Sequence, residues 1–229
     1  MRIFLVLCLL AAAGGFAAGM TVDESSSEGM VLSLSADAPQ FGTVQMRGVE
    51  FATVSMGGAE NLAEAGFPRL PVYRTWIEIP VGSTVEPMVT EMRVEHLQGP
   101  GLPVEPAVLS TEKSQPRDSY ILEPAPEVYT QGVPYPSEWV RITYAGEMRG
   151  RNLALVEVLP LRWNPSGGYT LLAGAEIRLD FRGGDLGRSY DQARRYACNE
   201  FDTLLSSFVT NYGIFESGVD TPPAPYLII

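Results

Sequence analysis

Apolar and polar residues alternate over short stretches of this chain far more often than they recur at helical spacing. In residues 176–182, Ile177, Leu179 and Phe181 alternate with Glu176, Arg178, Asp180 and Arg182, which predicts a strand with one dry and one wet face. Residues 85–97 alternate as well: Met88, Thr90, Met92, Val94 and His96 share one side, Val89, Glu91, Arg93 and Glu95 the other. The methionine-bearing side reads as the apolar, buried face of a half-buried strand. "LALVEVLPL" (153–161) is a nearly continuous apolar run, the signature of a central strand covered on both faces. Shorter β-branched or aromatic runs at 30–35, 41–56 and 71–80 add strands. The period changes once, at 199–213. There Phe201, Leu204, Leu205, Phe208, Val209 and Tyr212 fall on one helical stripe, with Asn199 as a candidate N-cap and Gly213 just past the C-terminus. The pattern predicts a mainly β chain, two packed sheets in a sandwich or jelly roll, followed by one amphipathic helix that must bury its stripe against the sandwich or something downstream.

Punctuation supports this organisation. Among 229 residues, 23 are glycine and 18 proline with no fixed period, favouring turns over long helices. Eight prolines lie between Pro100 and Pro136. Because proline cannot donate to a sheet ladder, residues 98–139 are expected to be extended loop or edge structure, and loops this long in compact domains tend to be functional or disordered. The resulting division is a signal peptide (1–19), a flexible N-terminus (20–30), a β-sandwich (31–185), a connecting segment with the helix (186–213), a linker (214–225) and, in "YLII" (226–229), the opening strand of a further domain.

The first nineteen residues combine Arg2, an apolar run from Ile3 to Ala13 and small residues before Met20, a pattern that predicts export with cleavage between Gly19 and Met20. The run is too short to span a bilayer. With Arg2 and Cys8 removed, 15 basic side chains face 27 acidic ones, a net charge near −12, and Cys198 is the single cysteine. So acidic a chain is unsuited to nucleic acid or to an anionic membrane once the signal is gone. It has no intrachain disulfide and must rely on its core.

Candidates for chemistry are few. His96 is the only histidine. Paired with Cys198 it could form a thiol–imidazole couple, but a strand face and a helix start suit structural roles better. Cysteine and histidine are too scarce for a metal site, and no phosphate-cradling loop or nucleophile elbow occurs. No cofactor is expected, and the chain by itself is not read as an enzyme. A secreted adhesion or glycan-binding sandwich, using its tyrosines and tryptophans as a binding face, is the alternative reading.

Two stretches carry a family resemblance. "GFPRLPVYRTWIEIPVGSTVEP" (66–87) and "YAGEMRGRNLALVEVLPLRWNPSGGYTLLAGAEIRLDF" (144–181) resemble the propeptides of gingipain-type peptidases in motif order and spacing. The resemblance implies a secreted bacterial zymogen, in a periplasmic or extracellular setting. Its N-terminal β-sandwich would inhibit a downstream cysteine endopeptidase domain and help it fold; that domain is the implied partner, and its catalytic motifs do not occur here. The resemblance also implies an inhibitory loop bearing a basic residue, for which "STEKSQPRDSY" offers Arg117 first and Lys113 second. A proline-stiffened loop loses less entropy on docking. One departure stands out: no Lys or Arg lies between Tyr196 and Ile229. Arg194 and Arg195 are therefore the processing candidates, unless the cognate peptidase cleaves after another residue type.

Overall fold

The computed structural model of the chain describes residues 19–108 and 123–216. Eleven strands and three helices make up these residues. The first sheet contains β1 (Met20–Ser25), β2 (Gly29–Ser35), β7 (Thr84–Leu97), β10 (Leu161–Asn164) and β11 (Gly168–Arg182). Its order is β1-β2-β11-β10, and β7 runs along the other edge of β11. The second sheet, in the order β5-β6-β9-β8, contains β5 (Glu60–Asn61), β6 (Pro71–Ile79), β8 (Val140–Met148) and β9 (Arg151–Val158). A separate hairpin joins β3 (Gln40–Met46) to β4 (Val49–Ser55).

The inner faces of the two sheets meet in one core. Leu32 and Leu34 of β2 and Ile177 and Leu179 of β11 pack with Tyr73 and Ile77 of β6 and Ala154, Val156 and Val158 of β9. These are the alternate positions of each strand, so the two-sheet sandwich follows from the period-2 pattern. The central place expected for "LALVEVLPL" is also found. β9 lies between β6 and β8, with Ala154 and Val156 facing the core and Leu153 buried on the opposite side. A second cluster fills one end of the sandwich and takes in Trp163, Tyr169 and Tyr135. These three aromatics are buried and serve the core, whereas Tyr144, Tyr190 and Tyr196 are exposed.

The proline-rich stretch behaves as its composition requires. Its described parts contain isolated bridges, at Val104, Pro106, Ala107 and Tyr135, and one short helix, α1 (Pro126–Tyr129), with proline at its start. No long ladder forms there among the described residues.

Three expectations need correction. Residues 20–25 are not a flexible tail but β1, paired antiparallel with β2. Met20 and Val22 reach the core while the acidic and serine side chains stay in water, so the polar run Asp23–Glu28 concealed an edge strand. In β7 the methionine side is the wet one: Met88 is 56% exposed, Met92 52% and Val94 41%, while Val85 and Val89 point inward. Register shifts between β7 and β11, with Glu91 at φ 48°, break the alternation midway and leave His96 exposed. Finally, two helices follow the sandwich. α2 (Leu186–Arg195) begins at Asp185, whose side chain accepts from the Arg188 N–H, and α3 (Asn199–Ser206) is about half the length its apolar stripe suggested.

Candidate functional site

α3 ends early because the following residues have another partner. Beyond Ser206 the chain turns and runs beside the free edge of β6. Val209 bridges Trp76 in parallel, and the Thr210 N–H donates to the Trp76 carbonyl at 2.9 Å. Asn211 then acts as a surrogate strand residue. Its side-chain oxygen accepts from the Glu78 N–H at 2.6 Å and its amide donates to the Glu78 carbonyl at 2.8 Å. The Thr75 and Thr210 hydroxyls also meet. A β6 edge that would otherwise present unpaired backbone is thus satisfied by one segment of the same chain.

The outer face of the second sheet explains why that segment stays there. Leu205, Val209, Phe201, Phe208 and Tyr212 pack over Trp76 and Leu153 in a third apolar cluster. Beside it lies an ion pair at the bottom of the contact: Arg151, 3% exposed, donates to Glu78, 1% exposed, at 3.0 Å. Arg151 also reaches the Glu216 carboxylate at 2.9 Å and the Tyr212 hydroxyl at 3.2 Å, with its guanidinium over the Tyr212 ring. The Tyr212 hydroxyl donates onward to Asp202 at 2.6 Å. Burial holds the Glu78 carboxyl above the usual carboxylate range despite the opposing pull of Arg151. For Arg151, burial lowers the pKa, but Glu78, Tyr212 and Glu216 together outweigh it and the net direction is upward. The arginine is therefore a fixed cation shared by two carboxylates on opposite sides of the contact.

The dibasic candidate Arg194–Arg195 occupies the last turn of α2. Arg194 pairs with Asp191 at 2.9 Å and is largely in water, and Arg195 lies over the Tyr196 ring. Tyr196 closes the helix, its N–H donating to the Gln192 carbonyl. Its ring covers the tip of the β8–β9 hairpin, where Arg149 (φ 50°) and Gly150 (φ 75°) make the turn. A Cβ on Gly150 would come within 2.6 Å of the Tyr196 ring and 3.1 Å of the Gln192 carbonyl. Arg149 stacks over Phe201 of α3. The hairpin tip thus supports the junction between α2 and α3.

A second feature concerns the ends of the segment that carries Lys113 and Arg117, both of which lie outside the described residues. Ala107 and Ala125, one on each side of it, hydrogen-bond to the same turn. The Gly66 N–H donates to Ala107, the Ala107 N–H to Phe67 and the Ala125 N–H to Gly66, at 2.8, 2.8 and 2.9 Å. Gly66 has φ 82°, and a Cβ there would lie 2.5 Å from the Glu123 carbonyl. The "GFPRLP" motif is therefore the knot at the base of that loop. Its spacing gave no hint of this role, because the contact is long-range.

The other candidates are quickly placed. His96 Nδ1 lies 3.4 Å from the Thr170 hydroxyl on the first sheet, whereas the Cys198 thiol donates to Glu200 at the start of α3, so the structure does not bring the two together. Gly19 immediately precedes β1, and its carbonyl accepts from the Ser35 N–H; Met20 is buried. Among the described residues, no three His, Cys, Asp or Glu side chains converge as metal ligands, and no helix is long and apolar enough to cross a membrane. Residues 226–229 lie outside the described residues.

Comparison with known proteins agrees with this geometry. A search of curated proteins returned no match. Among solved structures, the fold is similar to one described under zymogenic latency of gingipain K from Porphyromonas gingivalis, with a TM-score of 0.64 and 23% identity over 76% of this chain and 97% of that one. It is also similar to the complex of Porphyromonas gingivalis RgpB pro- and mature domains, with a TM-score of 0.68 and 14% identity over 86% of this chain and 99% of that one. A family profile, Propeptide_C25, matches residues 16–183. That interval runs from just before β1 to just past the end of β11, so the matched unit is the whole sandwich. The chain belongs to the Propeptide_C25 family.

Proposed function

We propose that this chain is the inhibitory and folding-assisting propeptide of an exported cysteine endopeptidase zymogen, and that its partner is the peptidase domain encoded after it. The observation that carries this reading is the family match over the complete sandwich, residues 16–183. Export is read from residues 1–19, with cleavage between Gly19 and Met20 before the chain folds. Once β1 has paired, that bond is no longer exposed for cleavage, since the Gly19 carbonyl is tied to Ser35 and Met20 is buried.

Inhibition is assigned to the loop whose stems meet at Gly66, with Arg117 as the residue that enters the peptidase's primary pocket and Lys113 as the second candidate. A loop with both ends pinned to one turn loses less freedom on docking than a free one. Release is assigned to the Arg195–Tyr196 bond. Peptidases take substrates in extended form, so hydrolysis there requires the last turn of α2 to unwind and Tyr196 to leave Gly150.

Titration of the purified chain against the catalytic domain tests the reading. Tight, saturable inhibition is expected, weakened at least about a hundredfold by Arg117→Ala, the range of a buried charged hot spot. Absence of inhibition by the unaltered chain refutes the propeptide role. Inhibition by both Arg117→Ala and Lys113→Ala that matches the unaltered chain removes the loop assignment alone.

A further inference from the structure

We propose that the outer edge of β3 is a docking site for a second copy of this chain, the two β3 strands pairing antiparallel about a two-fold axis at Thr43. The two hairpins then form one continuous four-stranded sheet.

The other sheet edges show why β3 stands out. β1 carries a register shift between Val22 and Glu24 and the acidic side chains of Asp23 and Glu24. β7 carries Pro87, Glu91 at positive φ, and a Val85 N–H already donated to the Tyr144 hydroxyl at 2.7 Å. β8 has a register shift between Tyr144 and Gly146, and β5 is only two residues long. β10 is covered by Tyr135, and β6 by Thr210 and Asn211. Irregularities, charges and covers of this kind are how proteins prevent edge-to-edge pairing. Among the described residues β3 has none of them. Its sequence, QFGTVQM, contains no charge and no proline, and it pairs with β4 without a break from Gln40–Ser55 to Met46–Val49.

The far side of β4 fixes the register. The Ala52 N–H donates to the Pro103 carbonyl and its carbonyl accepts from the Glu105 N–H, both at 2.8 Å, so the Ala52 backbone points away from β3. Ala52 and its partner Thr43 are therefore a non-hydrogen-bonded pair, and Thr43, with Phe41 and Gln45, aims its own N–H and carbonyl at the open edge. Pairing about Thr43 matches these residues with themselves in reverse. Thr43 meets Thr43 of the second copy and Phe41 meets Gln45, so every outward backbone group of the three finds a partner. Two threonines opposite one another are a favourable cross-strand pair, Gly42 leaves room for Val44 on the other face, and no like charges are opposed. An isologous contact needs only such a self-complementary strip. A single strand seam buries less than the ~800 Å² per partner of a stable complex, so the association is weak. The acidic charge of the chain opposes it until salt screens charges more than ~8 Å apart.

Sedimentation equilibrium of the purified chain, from micromolar to near-millimolar concentration and at low and high salt, provides the test. A monomer–dimer equilibrium that tightens with salt is expected. Thr43 is exposed, so Thr43→Lys leaves the fold intact, as its urea midpoint will show, and sets two ammonium groups against each other at the axis. Dimerisation is expected to weaken at least about tenfold. Thr43→Glu is expected to do the same alone, and an equimolar mixture of the two variants to recover at least the parent affinity, read as the mixed dimer by native mass spectrometry. A parent chain that stays monomeric throughout overturns the proposal, and so does a dimer that neither variant weakens. Loss in both variants without recovery in their mixture overturns the two-fold register at Thr43. If the parent stays monomeric and Thr43→Lys weakens binding to the catalytic domain, the edge takes a strand of the peptidase and the second-copy assignment falls.

Discussion

The two sheets of the sandwich share a core but have opposite outer faces. On the first sheet the outer surface is a polar lattice, Arg178 with Asp180 and Arg182 with Asp180 and Glu86, edged by the exposed methionines of β7. On the second sheet the outer surface is dry, with Trp76 and Leu153 under α3 and a buried Arg151–Glu78 pair. Surface ion pairs contribute little to stability, whereas a buried pair becomes a liability if either member is removed. The difference shows which face the chain itself was built to cover: the one leading to residues 199–216.

The sharpest way to break this contrast is at Arg151. Arg151→Met leaves Glu78 buried without its cation and is expected to cost about 3–5 kcal/mol in urea unfolding at neutral pH. Glu78 has a carboxyl pKa raised by burial, so the folded state binds the proton more tightly than the unfolded state, and stability falls as pH rises through that pKa. The deficit of the variant relative to the parent is therefore expected to shrink on acidification below neutrality. A deficit that is constant with pH contradicts the account of the buried pair.

A subtler comparison uses two hairpin tips with the same Arg-Gly turn. Arg47–Gly48 joins β3 to β4 and Arg149–Gly150 joins β8 to β9, with glycine φ values of 78° and 75°. Nothing lies within 4 Å of a Cβ built on Gly48, while one on Gly150 meets Tyr196 and Gln192. Gly48→Ala is expected to cost about 1 kcal/mol for the backbone alone, and Gly150→Ala roughly 1–2 kcal/mol more, with faster tryptic cleavage at Arg195–Tyr196. Equal costs at the two tips would mean that the hairpin does not support the α2–α3 junction.

The smallest effect is expected on the open face. Met88→Thr and Met92→Thr should each change stability by no more than about 0.5 kcal/mol, read from the urea midpoint. A larger loss would show that the face is covered after all.

Much of the sandwich was legible because it depends on local period. The alternation of Ile177, Leu179 and Phe181 and the double coverage of β9 were both readable, since each strand's faces are fixed by its own side chains. What escaped depends on partners far away in sequence. In β7 it is Val85 and Val89, opposite Phe181 and Ile177 of β11, that turn inward, and nothing within residues 85–97 announces which of the two alternating sets the partner strand takes. The helix after Cys198 stops at Ser206 because β6, more than a hundred residues earlier, claims Thr210 and Asn211. α2 left a better signal, an Asp185 cap ahead of Leu186, Ser189 and Ala193, hidden by the density of arginines around it. For the site, the basic candidates came from composition and motif order, but neither the Gly66 knot nor the Arg151 centre could be found that way.

Asn211 has one more consequence. By occupying the Glu78 backbone it keeps the margin of the second sheet from recruiting a strand of another molecule. A sandwich expressed without residues 199–216 would present an open, apolar-backed edge at Trp76–Glu78, and its characteristic failure would be to pair with copies of itself and come out of solution rather than to unfold.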